Sequence, residues 1–312
     1  MSMSAPPHPR VDTLRITIAI ATLGRRTDLG QALNDLTRQT RRPDRVIVSA
    51  TGQGDIDDTA VRQCCVPVSV MFGAKGLTRQ RNLVLDHLED ADVVLFLDDD
   101  FVMANDFVQR LEDLFIRAPS VVVATGQVQA DGIGTAGLTH DAARAILEGM
   151  QSPAPDGLVE VNNGYGCNMA FRTAPIRDNA LRFDENLPLY GWLEDVDFSR
   201  RVAAFGRCVK STSLRGVHLG TKAGRTSGIK LGYSQVANPF YLMRGAIMQP
   251  GHALRLIGGN MLANAAKSLR PEPWVDRRGR LRGNFAAVAD LLRGTAHPLR
   301  VLDMKGRTDD PT

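Results

Sequence analysis

The chain has 312 residues, 43% of them hydrophobic, and a formal net charge of +4 at pH 7. That composition supports a real core in one large domain with an appendage, or in two domains, and excludes wholesale disorder. No apolar run approaches the length of a membrane-spanning helix, and Cys64, Cys65, Cys167 and Cys208 fit no zinc spacing and read as reduced thiols.

Met1 to Arg10 carries Pro6, Pro7 and Pro9 and no apolar h-region. Residues 1–14 therefore read as a disordered tail rather than a signal peptide, with the protein expected in the cytoplasm. Ile16 to Ala21 reads as a buried first strand, and Thr22 to Arg26 as a turn. Thr27 can cap a helix whose Leu29, Leu33 and Leu36 share a face. Strands are expected at Arg45–Ala50 and Val66–Phe72, and a helix from Thr78 to Leu88. Alternation at this pitch predicts a parallel sheet with helices on both faces.

The next stretch organises the chain. Val93-Val94-Leu95-Phe96-Leu97 is too short for a stable helix and suits a strand buried on both faces. Asp98, Asp99 and Asp100 follow at once, at the carboxyl end of the strand, where open α/β sheets place ligands. Adjacent carboxylates repel unless a cation sits among them, and oxygen ligands suit Mg²⁺ or Mn²⁺. The plain alternative is a solvated acidic turn that opens the helix from Asn105 to Arg117.

Beyond it, Val121–Val128 is a strand and residues 131–155 a variable excursion rich in Gly, Ala and Pro. A strand is expected at Gly166–Arg172, a loop at Tyr190–Leu193, and a helix from Glu194 to about Ala204. A last strand at Val209–Leu214 leads to His218, then to a loop with Lys222 and Arg225. From Asn238 onward, 12 Lys and Arg against 6 Asp and Glu leave a net of +6. This tail is expected to start helices at Pro239 and Ala253, the second interrupted by Gly258 and Gly259. A basic knot at Arg277–Arg282 precedes another apolar segment. Apolar helices edged with arginine suit an anionic membrane surface; a helical cap or a dimer contact is the alternative.

Four pieces in this order resemble the inverting glycosyltransferases of family 2. They are Ile18–Thr22, Gly76–Asn82, Phe96–Asp100 and Gly191–Arg201. The resemblance covers roughly residues 15–245. It implies a GT-A fold, a Rossmann-like, mainly parallel α/β sheet, in a catalytic domain over residues 15–237. A nucleotide-binding half would run to residue 103 and an acceptor half from 104, with residues 238–312 as a basic helical extension. It implies that Asp100 binds the metal with help from His218, and that Asp98 and Asp99 face the nucleoside and metal shell. Asp195 maps to the catalytic base, with Trp192 and Glu194 beside it for the acceptor. Thr22, Arg81 and Asn82 fall where the family lines the nucleotide pocket.

The second strand of family members often ends in a carboxylate that reads uracil; here it ends Ser49-Ala50-Thr51, and Asp55 is the nearest substitute. The Gln-x-x-Arg-Trp motif of processive synthases is missing, so a single addition is expected. A UDP-sugar is the expected donor and a glycan or lipid-linked hydroxyl in cell-surface polysaccharide synthesis the acceptor. Lys222 and Arg225 would close over the phosphates. The rival readings are a nucleotidyltransferase that makes sugar nucleotides and a non-catalytic basic protein that binds nucleic acid or membrane. The first lacks a Gly-rich phosphate signature after strand one, and no nucleic-acid partner is expected.

Overall fold

Alternating strand and helix signals give a sheet whose central strand, β4 (Val93–Asp98), is buried along its length. The computed structural model describes residues 13–150, 157–223 and 226–304. The first half holds β1 (Ile16–Ala21), α1 (Arg26–Asp35), β2 (Arg45–Ala50), α2 (Asp58–Gln63), β3 (Val68–Phe72) and α3 (Leu77–Leu85), then β4. After it come β5 (Phe101–Met103), α4 (Phe107–Arg117), β6 (Val121–Asp131), α5 (His140–Glu148), β7 (Leu158–Glu160), β8 (Asn168–Arg172), α6 (Thr173–Asp178), α7 (Glu194–Val202) and β9 (Arg207–His218). Three helices finish the chain: α8 (Gly228–Arg244), α9 (Pro250–Lys267) and α10 (Arg277–Leu292).

The strands form one sheet in the order β3-β2-β1-β4-β8-β6-β9-β5, with β7 also on β9. β1 to β4 run parallel; β8 and β5 enter antiparallel. The chain winds outward from β1 to β3, then returns to add β4 on the other side of β1. Ala21 is paired with Asp98 across that junction. It is the switch point where open α/β sheets bind ligands.

Strand alternation divides the core into two layers. Val93, Leu95 and Leu97 join Leu29, Leu33, Phe107 and Phe115 on one face of the sheet. Val94 and Phe96 join Val84, Phe171 and Phe198 on the other. Phe96 is 1% exposed and meets Phe171 and Phe183 edge-on. Phe96→Ala would cost roughly 3–5 kcal/mol.

Several expectations change. The stretch from residue 131 is not one loose excursion: α5 is capped by Thr139 and packs Ala143 and Ile146 on Val102, Val217 and Leu219. Residues 151–156 lie outside the described residues. The last strand does not end at Leu214. β9 continues to His218 because β6 and then β5 supply it with partners, across a register shift at Gly126. A Cβ on Gly216 would stand 2.2 Å from the Phe101 ring, so that stretch requires glycine.

In the tail, α8 runs unbroken across the expected boundary at residues 237 and 238, with Pro239 inside it. α9 passes through Gly258 and Gly259 without interruption. The basic knot is the first turn of α10. Packing overrides propensity here: a Cβ on Gly232 would lie 2.0 Å from the Arg280 carbonyl, and one on Gly283 2.1 Å from that of Ile229. These glycines bring α8 and α10 into backbone contact.

Candidate active site

β4 ends at Asp98, and the chain turns through Asp99 and Asp100 into β5. β5 pairs Phe101 with His218 of β9, and Leu219 N–H donates to the Asp100 carbonyl at 2.9 Å. This long-range pairing brings His218 onto the acidic turn. Asp98, Asp100 and His218 each offer an atom to one group whose members lie within 4.8 Å of one another.

The three carboxylates have different surroundings. Asp100 accepts the Thr221 N–H at 2.7 Å with Oδ2, while its buried Oδ1 has no hydrogen-bond partner. An orphaned carboxylate oxygen beside a second carboxylate and an imidazole suits a divalent cation. Burial works to raise the Asp100 pKa, but His218 and Arg25 hold it below the ordinary value. Asp99 turns away from this group toward a cavity that Thr22 and Arg25 also line. It accepts from Thr22 Oγ1 at 2.7 Å and Arg25 Nη1 at 2.9 Å. Burial raises its pKa to about 7, against the pull of Arg25. Asp98 is also raised, by burial first.

His218 is oriented from behind. Its Nδ1 lies 2.9 Å from Asp131 Oδ1, and Tyr165 donates to Asp131 Oδ2 at 2.7 Å. Its Nε2 is left facing Asp100 at 3.4 Å. Burial works to lower the His218 pKa, but Asp100 and Asp131 overcome it and hold it up at about 10. Burial works to raise Asp131, and its hydrogen bonds to His218, Ile133 N–H and Tyr165 pull it down to about 2. A carboxylate behind a ligating imidazole fixes its tautomer and direction.

Arg25 ties three loops together. Besides Asp99 it stands 3.5 Å from Asp100 and donates to the carbonyls of Ala223 and Thr221. Burial works to lower its pKa, but the acidic turn raises it. Arg25 thus offsets part of the repulsion within the acidic turn, chiefly at Asp99.

On the other side of Asp98 stands the start of α7. The loop before it is strained: Leu189, Gly191 and Leu193 all have positive φ, of 59°, 63° and 73°. For leucine this is a costly conformation of the kind that clusters at functional sites. The loop is held by Leu77 N–H on the Leu189 carbonyl at 2.8 Å and by Asn238 of α8 on the Trp192 carbonyl at 2.7 Å. Asp195 accepts the Gly166 N–H at 3.1 Å and the Val196 N–H at 2.9 Å. Burial raises its pKa, partly countered by those N–H groups and by Arg81. Glu194 pairs with the buried Arg81, which also donates to the Gly166 carbonyl at 2.8 Å. Burial raises the Glu194 carboxyl, and the Arg81 charge works against it.

Two cavities meet at this junction. One, of about 150 Å³, is lined by Thr22, Arg25, Lys75, Gln80, Asp99 and Lys230, among others. The second, of about 340 Å³, holds Arg81, Tyr165, Trp192, Glu194, Asp195 and His218. Both reach Leu77, Asp98 and Tyr190. A larger groove of about 780 Å³ runs between residues 180–185 and the end of α8; it shares no lining residue with either and holds none of the grouped carboxylates.

Thr22, Arg81, Asp98, Asp99, Asp100, Trp192, Glu194, Asp195 and His218 are thus brought together around one junction. Three expected nucleotide contacts are not. Asp55 is committed to its own loop: it accepts the N–H groups of Gly24, Thr51 and Gly52 and the Thr51 hydroxyl. Asn82 is buried and braces α3 against Phe183 and Glu185. Lys222 donates to the carbonyls of Gly132 and Ile133, pinning its loop to the end of β6. Arg225 lies outside the described residues. Arg25, Lys75, Lys230, Tyr165 and Asp131 join the site without having been singled out in the sequence. Asp131 opened an apparent loop, and Arg25 lay in an unremarkable turn.

The model of the glycosyl transferase family 2 matches residues 17–178. The match contains β1 to α6 and the acidic turn but stops before Asp195 and His218. No curated protein matches the sequence. Among solved structures, S. aureus TarS residues 1–349 superposes with a TM-score of 0.56 at 15% identity, over 92% of this chain and 82% of that one. The full TarS chain gives 0.53 at 14% identity, over 91% of this chain, which spans only 50% of its length. The mannosyltransferase PcManGT from Pyrobaculum calidifontis, in complex with GDP-Man and Mn²⁺, gives 0.51 at 15% identity, over 97% and 88%. These likenesses establish the fold, and it is the GT-A arrangement expected from the sequence.

Proposed function

The chain belongs to glycosyl transferase family 2, and we propose that it transfers a single sugar, with inversion, from a nucleotide-sugar donor to a hydroxyl of a glycan or lipid-linked acceptor. A role in cell-surface polysaccharide assembly, a cytoplasmic location, a UDP-sugar donor and dependence on Mg²⁺ or Mn²⁺ belong to the same proposal. One observation carries it. Asp98 stands between two cavities, with Asp100 and His218 grouped beside it and the Asp195 carboxylate in the second cavity.

Asp98, Asp100 and His218, the last once its proton is displaced, would hold the divalent ion, whose charge stabilises a departing diphosphate without a proton. Arg25, Lys75 and Lys230, around the first cavity, suit the remaining phosphate charge. On the opposite face Asp195 is aimed by two backbone N–H groups, and burial raises its affinity for a proton. It takes the proton of the acceptor hydroxyl. That oxygen bonds to the anomeric carbon, and the carbon–oxygen bond to the diphosphate breaks with its electron pair on the leaving group. Attack from the face opposite the leaving group inverts the centre. The rings of Trp192, Tyr190 and Tyr165 give the acceptor cavity faces on which a sugar can stack.

The test is a panel of UDP- and GDP-sugars incubated with Mn²⁺, Mg²⁺ or EDTA. The expected result is nucleoside diphosphate release from one donor only when the metal is present, and a product of inverted anomeric configuration by NMR. Full activity in EDTA would refute the metal, and a retained anomer the inversion. A UDP-sugar donor predicts thermal stabilisation by UDP with Mn²⁺ and none by GDP.

A further inference from the structure

All five exposed leucines among the described residues, Leu254, Leu262, Leu269, Leu292 and Leu302, lie in the C-terminal extension. Two are on α9 and a third follows it directly, at 64%, 72% and 82% exposure. At about 100° per residue, Leu254, Gly258, Leu262 and Ala265 share an arc of about 80° on one side of the helix. The opposite side is committed inward: Ala253 and Asn264 are buried, and Asn264 donates to Gln235 and Asn284 of the neighbouring helices. A Cβ on Gly258 or Gly259 would meet nothing within 4 Å, so no other described part of the chain covers this face.

The charge on α9 has one sign. No Asp or Glu occurs from Pro250 to Pro271, whereas Arg255 and Arg270 are exposed at the border of the leucines. The first acid beyond, Glu272, is bound by Lys267 and Arg277. The half-exposed ring of Trp274 follows. We propose that this face of α9 docks the protein on an anionic phospholipid surface. Leucines held outward with arginine beside them, and an indole at the edge, match an interfacial helix in which apolar insertion and charge attraction act together. No helix of the described residues is long and apolar enough to cross a membrane, so α9 lies on the surface. A second copy meeting the same face across a two-fold axis would bring arginine against arginine. Arg277, at the start of α10, contributes less than its sequence suggests, because it is held by Glu272 and Asn264. This proposal does not depend on the reaction.

The test is co-sedimentation of the full chain with vesicles of phosphatidylcholine, alone or mixed with phosphatidylglycerol. Binding is expected only to the anionic vesicles. Leu254→Ser/Leu262→Ser/Leu269→Ser should lower it more than tenfold. Arg255→Gln/Arg270→Gln should lower it about 25-fold, since each basic residue at such a surface changes partition about fivefold. If the serine variant fails to fold by circular dichroism, the glutamine variant carries the test alone. Equal binding to both vesicles, binding unchanged in the folded variants, or no binding to either overturns the proposal. In the last case a concentration-dependent dimer by ultracentrifugation would assign the face to a second copy.

Discussion

The two cavities that meet at Asp98 are built from opposite materials. The first cavity, the proposed donor side, is walled by the loops after β1 and β4 and carries Arg25, Lys75 and Lys230. The second cavity is walled by the strained loop before α7 and carries three aromatic rings; the cations among its described lining residues are the paired Arg81 and His218. Two carboxylates, Asp100 and Asp195, are tuned in opposite directions, while Asp98 and Asp99 are raised by burial. Asp100 is held below the ordinary pKa by His218 and Arg25, and Asp195 is raised by burial. A carboxylate that must stay anionic to hold a cation needs the first environment, and one that must accept a proton needs the second.

The largest expected effect separates the two sides at one atom. Asp195→Asn keeps the size and one accepting oxygen, so it retains one of the two contacts to Gly166 and Val196 and loses the proposed base. Transfer should fall about 10²–10⁴-fold, with donor affinity by calorimetry unchanged. A wild-type rate would remove Asp195 from the base role and end the division of labour drawn here.

Asp131→Asn should act first on the metal group. It leaves His218 in place but weakens what orients it, and metal affinity by titration should fall about 10–100-fold. Arg25→Met should lower donor affinity about tenfold, the loss of one charge-assisted contact, and loosen the joined loops at Thr221 and Ala223. An unchanged donor affinity would make Arg25 a purely local brace of Asp99.

The smallest effect is on pH. Because burial raises the Asp195 pKa, the folded chain binds that proton more tightly than the unfolded chain does. The stability it contributes is full below the ordinary carboxylate value of about 3.9 and is lost as pH rises through the raised folded pKa. Asp195→Asn abolishes that loss, so its stability should not fall as pH rises through this window, as measured by urea unfolding at several pH values. Wild-type transfer should rise with pH over the same window, as the base form appears. A variant whose stability falls with pH as the wild type's does would show that Asp195 is a cap rather than a strained base.

The extension adjoins this contrast. Asn238 of α8 holds the Trp192 carbonyl, so α8 braces the loop that walls the second cavity and is not a separate appendage.

Much of this was legible in the chain. A run of five apolar residues followed by three aspartates determines a strand buried on both faces with charge at its carboxyl end, because period-two alternation and desolvation are local properties of the sequence. The order of Thr22, the acidic turn, Glu194-Asp195 and His218 determined the family resemblance and the architecture. What only the tertiary structure decided was how these groups divide the work. Asp98 and Asp99 are neighbours in sequence, yet one joins His218 and the other turns to Thr22 and Arg25, since successive side chains leave a strand end in opposite directions. Asp131 orients His218 only because β6 and β9 pair 87 residues apart. Asp55 and Asn82 have the right chemistry for a ligand, but nearby backbone groups engage them first. Such partners depend on the register of distant strands and on which buried polar groups remain to be satisfied, and neither is written in the local pattern.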